Sequence, residues 1–140
     1  MILVFGEDQL VAEWVARRIP HVHREFRDFA AIGVWDGEKL AAGVVYNDHQ
    51  AKYGTLQISM AADSPRWAQR GVIRALLHYP FEQVGVNKVW TATPHENERA
   101  IRFNLGIGFT REATLRHHFG RKKHCVVCSM LSNEYRRRYG

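Results

Sequence analysis

The chain has 140 residues, 46% hydrophobic and 24% charged, enough for one moderate core and unlike a disordered composition. No apolar run approaches the roughly 20 residues of a membrane span, and the opening "MILVFGEDQL" meets acid early with no basic lead, unlike a signal peptide, so a soluble cytoplasmic protein is expected. The formal net charge of +6, with clusters at Arg17–Arg18, Arg121–Lys123 and Arg136–Arg138, favours an anionic partner, either nucleic acid or a phosphorylated small molecule, without choosing between them.

In chain order, Met1 to Phe5 is a short apolar run closed by Gly6 and reads as a strand. From Asp8, the residues Leu10, Val11, Trp14 and Val15 recur at helical spacing until Pro20 stops the pattern. Residues 20 to 28, "PHVHREFRD", are polar and irregular. "FAAIGVWDGEKLAAGVVYND" predicts two strands joined at Asp36-Gly37, a strong hairpin signal. In "YGTLQISMAA", Leu56, Ile58 and Met60 alternate with Gln57, Ser59 and Ala61, the period of another strand. Ser64-Pro65 predicts the start of a long helix, because proline suits the first helical position. Ile73, Leu76, Leu77, Phe81 and Val84 form its buried stripe, Gly85 ends it, and Pro80 predicts a kink or a split last turn. "NKVWTATP" is a fifth strand with Val89, Thr91 and Thr93 on one face. Asn97 to Gly106 predicts a short helix with Ala100, Ile101 and Phe103 inward, after which Gly108-Phe109 anchors the next strand. "FTREATLRHHF", the basic turn "GRKK" and "HCVVCSML" make a closing hairpin. The order β-α-β-β-β-α-β-α-β-β implies a mixed α/β sheet in one domain, residues 1–140.

Cys125 and Cys128 form a lone CxxC. On a strand, residues at this spacing point to opposite faces, so the sulfurs cannot readily share a metal or close a disulfide. Two buried, reduced thiols are expected. His117, His118 and His124 lie near enough in sequence for zinc across a hairpin to be imagined, but no second CxxC accompanies them and no metal is expected.

Two strand-to-helix junctions carry the functional reading. At "SPRWAQRG", the first N–H groups of the helix lack partners and carry the positive end of its dipole, which suits a pyrophosphate. Arg66, Arg70 and Arg74 would add mobile positive charge, and Gly71 lets a ligand approach without a Cβ in the way. The plainer alternative is a capped helix with solvated arginines. At the second junction, Asn97 is a good N-cap, worth on the order of 1 kcal/mol.

The element order, the stretch "NERAIRFNLGIGF" and the tail "TLRHHFGRKKHCVVCSML" together resemble the GNAT N-acetyltransferase superfamily, and its RimJ/RimL-like branch in particular. The first stretch matches the family's Asn-x-x-Ala/Ser-Ile … Gly-Phe pattern through Asn97, Ala100, Ile101, Gly108 and Phe109. The likeness runs over residues 29 to 131; small members of this kind occur in bacterial and phage genomes, so a phage or prophage type is included. The family's pyrophosphate loop, Gln/Arg-x-x-Gly-x-Gly/Ala, matches only at Gly71. Ala68 and Ile73 stand at its other two positions, and Gln69 and Arg70 are offset from the polar one.

The resemblance implies an α+β fold with a mixed, mostly antiparallel sheet of about seven strands flanked by helices. It implies direct transfer of an acetyl group from acetyl-CoA to a primary amine of a protein, peptide or small molecule. The alternatives are an acceptor on nucleic acid or aminoacyl-tRNA, and a non-catalytic acyl-CoA-binding module. Cofactor contacts would come from Met60, Ala61 and Ala62, whose strand supplies an oxyanion N–H, and from Arg66, Gln69, Arg70, Gly71, Val72, Asn97, Ala100 and Phe103. Asn97 would hydrogen-bond the pantetheine arm. The family's thiol-protonating tyrosine aligns with Asn104, an amide that can hydrogen-bond sulfur but not protonate it as an acid would. A lysine-type amine with a pKa near 10.4 must lose a proton before it attacks. His95 and Glu96 are the nearest titratable candidates, followed by His49 and Asp48; Gln57 and Ser59 are polar but not basic. A water relay is the alternative, and the sequence names no base. A monomer or a homodimer is expected by family habit.

Overall fold

The computed structural model describes residues 1–19, 26 and 28–140. Pro20, read above as the stop of the first helix, and most of the stretch 20 to 28 lie outside the described residues. Among the described residues seven strands form one sheet: β1 (Ile2–Val4), β2 (Ala30–Trp35), β3 (Leu40–Gln50), β4 (Thr55–Ala62), β5 (Lys88–Pro94), β6 (Thr110–Leu115) and β7 (Cys125–Leu131). Their order is β1-β2-β3-β4-β5-β7-β6, and every neighbouring pair is antiparallel except β4 with β5. The α-helices that accompany it are α1 (Asp8–Ala16), α2 (Arg70–His78), α3 (Glu98–Gly106) and α4 (Ser132–Tyr139). This is the mixed, mostly antiparallel α+β architecture expected from the sequence, and no described helix is long and apolar enough to cross a membrane.

Local chemistry explains the elements. At the β2–β3 turn the Asp36 carboxylate accepts hydrogen bonds from the backbone N–H groups of Glu38 and Lys39, at 2.8 and 3.0 Å. Those donors hold its carboxyl below the usual carboxylate range. α1 seats Val11, Trp14 and Val15 on β2 and β3, joined by Ala12; Leu10, predicted as part of the stripe, is 53% exposed. The close approach depends on two glycines. A Cβ on Gly43 would stand 2.7 Å from Val15 Cγ2, and one on Gly33 would stand 3.1 Å from Val11 Cγ2. On β7, Cys125 and Cys128 are both buried free thiols, and burial raises the pKa of each.

Two expectations need correction. The helix predicted from Ser64-Pro65 is three pieces. Pro65–Trp67 is a single 3-10 turn capped by Ser64, Ala68 and Gln69 leave helical geometry, and α2 begins at Arg70. Proline opens a helical turn as expected, but the burial of Trp67, 3% exposed, bends the chain before the α-helix starts. At the other end the split expected at Pro80 is present, since α2 ends at His78. Tyr79–Val84 widens into a π-turn, and the N–H groups of Gly85 and Val86 both reach the Pro80 carbonyl before Gly85, at φ 83°, ends it.

The second correction is α4, which the sequence reading did not include. Its buried face is only Tyr135 and Tyr139, a spacing of one helical turn in an otherwise charged segment. Tyr135 stacks on Phe81 with ring centroids 4.9 Å apart, and the Tyr139 hydroxyl donates to the Ile107 carbonyl. Helices therefore cover both faces of the sheet: α1 closes one apolar cluster, while α2, the π-turn, α3 and α4 contribute to the other.

Candidate functional site

β4 and β5 begin as paired parallel strands and then part. Thr55, Leu56 and Gln57 register with Lys88, Val89 and Trp90, and the pairing goes no further. Beyond that point Ile58–Ala62 still pairs with β3, and Thr91–Pro94 still pairs with β7. Each strand thus keeps its outer partner and loses its inner one, leaving two facing edges whose backbone N–H and C=O groups are unspent. A cavity of about 650 Å³ occupies the gap, lined on its strand sides by Ile58–Ala62 and by Thr91–Pro94.

α3 makes one wall. Asn97 caps it, its Oδ1 accepting the Ala100 N–H at 3.2 Å. The cap uses the oxygen and leaves Nδ2 free to donate into the cavity that Asn97 lines. Ala100 and Phe103 face the same space, and the Phe103 ring lies 5.5 Å from that of Trp67, which closes the adjoining corner. Asn104, also in the lining, is only 3% exposed; its Nδ2 donates to Thr91 Oγ1 at 3.2 Å. Ser59 lines the opposite wall and donates to Asn47 Oδ1 at 3.2 Å.

The first junction has a different setting. Gln69 is an extended N-cap without a side-chain bond, so the N–H groups at the start of α2 have no capping side chain. An added Cβ on Gly71 would meet no atom within 4 Å. Arg66, Gln69, Arg70, Gly71 and Val72 all stand outside the cavity lining; Ser64, Pro65 and Trp67 are the residues that connect this corner to it. Of the three arginines expected to supply mobile charge here, Arg70 and Arg74 are instead tied down. Arg70 donates to the Arg138 carbonyl and lies 5.0 Å over the Tyr139 ring, while Arg74 Nε donates to the Tyr139 carbonyl at 2.6 Å. Both are tied to the C-terminal carbonyls of α4, where a helix carries its negative end.

The titratable candidates separate in the same way. Glu96 lines the cavity and pairs with Lys123 at 2.9 Å, which holds its carboxyl below the ordinary value. His95 stands outside the lining, and its Nδ1 accepts the His124 N–H at 3.0 Å, so that lone pair is already engaged. Asp48 and His49 lie past a bulge in β3, beside the paired end of β4 and away from the opening. Among the described residues no group of side chains could hold a metal ion.

Sequence reasoning missed three features of the lining. Arg18 was read as part of a charge cluster; it stacks 3.6 Å from the Trp14 ring and makes two bonds to Asp63, at 2.8 and 3.2 Å. Arg99, the second residue of α3, also lines the cavity. The alternation of β5 placed Thr91 and Thr93 on a buried face, and that face turned out to reach the cavity.

The fold has many solved counterparts. A mutant of the spermidine N-acetyltransferase SpeG from Vibrio cholerae aligns with a TM-score of 0.66 and 20% identity over 82% of this chain and 71% of that one. Another mutant form of the same spermidine/spermine enzyme gives 0.69 and 20% over 86% and 75%. A T. thermophilus protein described only provisionally as an acetyltransferase gives 0.65 and 22% over 78% and 62%, so the chain spans less than two thirds of that protein. At these identities the likeness establishes the shared fold, which is the fold the sequence resemblance implied. No family model and no curated protein sequence matches the chain.

Proposed function

We propose that this chain is an acetyl-CoA-dependent N-acetyltransferase, related to the RimJ/RimL-like branch, that acetylates a primary amine by direct attack. The observation that carries the reading is the parting of β4 and β5, which leaves two unspent strand edges facing a cavity of about 650 Å³. A pantetheine arm carries amide groups along its length, and such edges offer it the donors and acceptors that a third strand would use. The residues present fit that arm: Asn97 Nδ2 is a free donor, and Ala100 is small where bulk would close the gap.

When bound, acetyl-CoA supplies an acetyl thioester at the inner end of the cleft. The amine nitrogen forms the new C–N bond, the C–S bond breaks, and the amine's proton balances the departing thiolate. The inner edge of β4, around Met60 to Ala62, presents backbone N–H groups that can bind a developing oxyanion. Asn104, held by Thr91 in a nearly water-free position, can orient the sulfur by hydrogen bonding. Its loss should lower turnover more than affinity: Asn104→Leu is expected to reduce kcat by roughly tenfold or more with a smaller change in KM for acetyl-CoA. Among the described residues none with a free basic lone pair lines the cavity, and Glu96 at the rim is the only carboxylate in the lining. Water is therefore assigned the removal of the amine's proton to bulk.

Thiol release from acetyl-CoA, followed across a panel of polyamines, amino acids, peptides and aminoglycosides, tests the reading. Amine-dependent release supports it, and CoA binding with no release for any amine favours a non-catalytic acyl-CoA module. A second acceptor class rests on the exposed Arg116, Arg121 and Lys122 beside the rim. If the amine is carried on RNA, affinity will fall steeply as salt rises.

A further inference from the structure

Three histidines outside the cavity are wired in series. The Lys122 N–H donates to His117 Nδ1 at 3.1 Å, the His117 N–H donates to His124 Nδ1 at 3.0 Å, and the His124 N–H donates to His95 Nδ1 at 3.0 Å. A backbone N–H can only donate, so each Nδ1 must present a bare lone pair and each neutral ring must carry its proton on Nε2. The rings also neighbour one another, with centroid distances of 4.9 Å for His95 and His124 and 5.3 Å for His117 and His124. Together with the backbone bonds from the Phe119 N–H to the Lys123 carbonyl and from the Lys123 N–H to the Gly120 carbonyl, these bonds fold the β6–β7 connection back on itself. Within it His117 and Lys122 both adopt positive φ, 56° and 61°, a conformation that costs a non-glycine residue energy and needs outside support. The same connection carries Lys123, whose ammonium pairs with Glu96 on the rim of the cavity.

We propose that this series of imidazoles is an acid-sensitive latch that fixes the β6–β7 connection against the rim of the cleft. Protonating Nδ1 of His117 or His124 replaces an acceptor by a donor facing a donor, and the bond must open. His95 behaves differently, because its Nδ1 also lies 3.3 Å from the His124 carbonyl and can donate there once protonated. The opening links are therefore His117 and His124. The charged groups around them are Arg116, Arg121, Lys122 and Lys123 on the connection itself, His118 beside His117, and Glu96, the one carboxylate contributed from the β5–α3 turn and already paired with Lys123. Cys125, which follows at the start of β7, is kept neutral by burial. The pKa of His124 is lowered by desolvation first, then by His95, His117 and Arg116.

The sign follows from the closed form preferring neutral rings. For His124 that advantage is complete above the ordinary histidine value of about 6.5 and is lost as pH falls through its lowered value. In acid the His117 and Lys122 amides lose their ring acceptors, and the connection holds Lys123 against Glu96 less firmly. The latch stands on the hydrogen bonds alone and does not depend on what the cleft binds.

Nuclear magnetic resonance of the nitrogen-15-labelled protein tests it directly. At pH 8 all three rings should show an unprotonated Nδ1 and a protonated Nε2. Between pH 8 and 5 the His117 amide proton, which donates to the His124 ring, should move with a midpoint below about 6.5, the Lys122 amide proton should move as the His117 ring takes up its proton, and the exchange protection of both, corrected for the intrinsic pH effect, should fall about tenfold. His124→Asn keeps an acceptor oxygen near the Nδ1 position but cannot titrate, so the His117 amide should stay in place at pH 5 in that variant. A proton on Nδ1 of His117 or His124 at pH 8, or rings that titrate while both amides stay fixed, would overturn the latch.

Discussion

The Asn97 junction and the Gln69 junction each open a helix of nine residues, Asn97 after the turn that follows β5 and Gln69 after the 3-10 turn at Pro65–Trp67. Their surroundings divide the work between them. Asn97 caps its helix with one atom and keeps another for the cavity, and further positions on α3 face the same space. Gln69 offers no cap, and the arginines that follow it are bound to α4, so what this junction presents outward is backbone, the uncapped N–H groups beside the open surface of Gly71. A helix start near a cleft is thus not automatically a charged grip. The Gln69 junction offers an anion its amides, while Arg70 and Arg74 hold the fold together.

Breaking the α4 clamp should give the largest effect. Tyr139→Ala removes a ring that is 5% exposed, the platform under Arg70 and a hydroxyl bond to Ile107. A loss of about 3 kcal/mol in urea unfolding is expected, with CoA affinity little changed where the variant stays folded. A large fall in affinity at unchanged stability would mean that the clamp arginines serve the ligand after all. At the other junction the two roles of Asn97 can be separated. Asn97→Ala should cost about 1 kcal/mol through the lost cap, and it should weaken CoA binding as well. Asn97→Asp keeps the capping oxygen, so stability should survive while binding falls. If both variants bind like the parent, Asn97 is only a cap. The smallest effect is expected from Gly71→Ala. An added Cβ meets nothing within 4 Å, so stability should change by only a few tenths of a kcal/mol, and any drop in CoA affinity would report close ligand approach to the α2 amides.

Much of this architecture could be read in the chain itself. Asp36-Gly37 located the hairpin because its side chain satisfies the turn locally, and the alternation of Val89, Thr91 and Thr93 located β5 because a strand's faces repeat every second residue. Asn97 marked the start of α3 for the same reason: capping is a local reaction of one side chain with nearby amides. What escaped depends on partners far along the chain. α4 buries two tyrosines against residues near Phe81 and Ile107, and its local composition reads as solvated charge. The bend at Ala68 and Gln69 follows from Trp67 meeting Phe103, a contact invisible to helix periodicity. Asn104 looks like one more polar residue on a short helix, and only the position of Thr91 shows why it is buried. The histidine series has no period at all, since its bonds run from backbone to ring across a loop.

The parting of β4 and β5 carries the rest, and calorimetry on a blocked cleft reaches it most directly. Titration of CoA into the parent protein should release heat with a dissociation constant well below millimolar, and Ala100→Trp, which fills the gap between the strands without touching the sheet's outer pairings, should abolish that heat while leaving the unfolding midpoint nearly unchanged. Equal binding by the two proteins, or no heat from the parent at millimolar CoA, would contradict the assignment of this cleft to the cofactor arm.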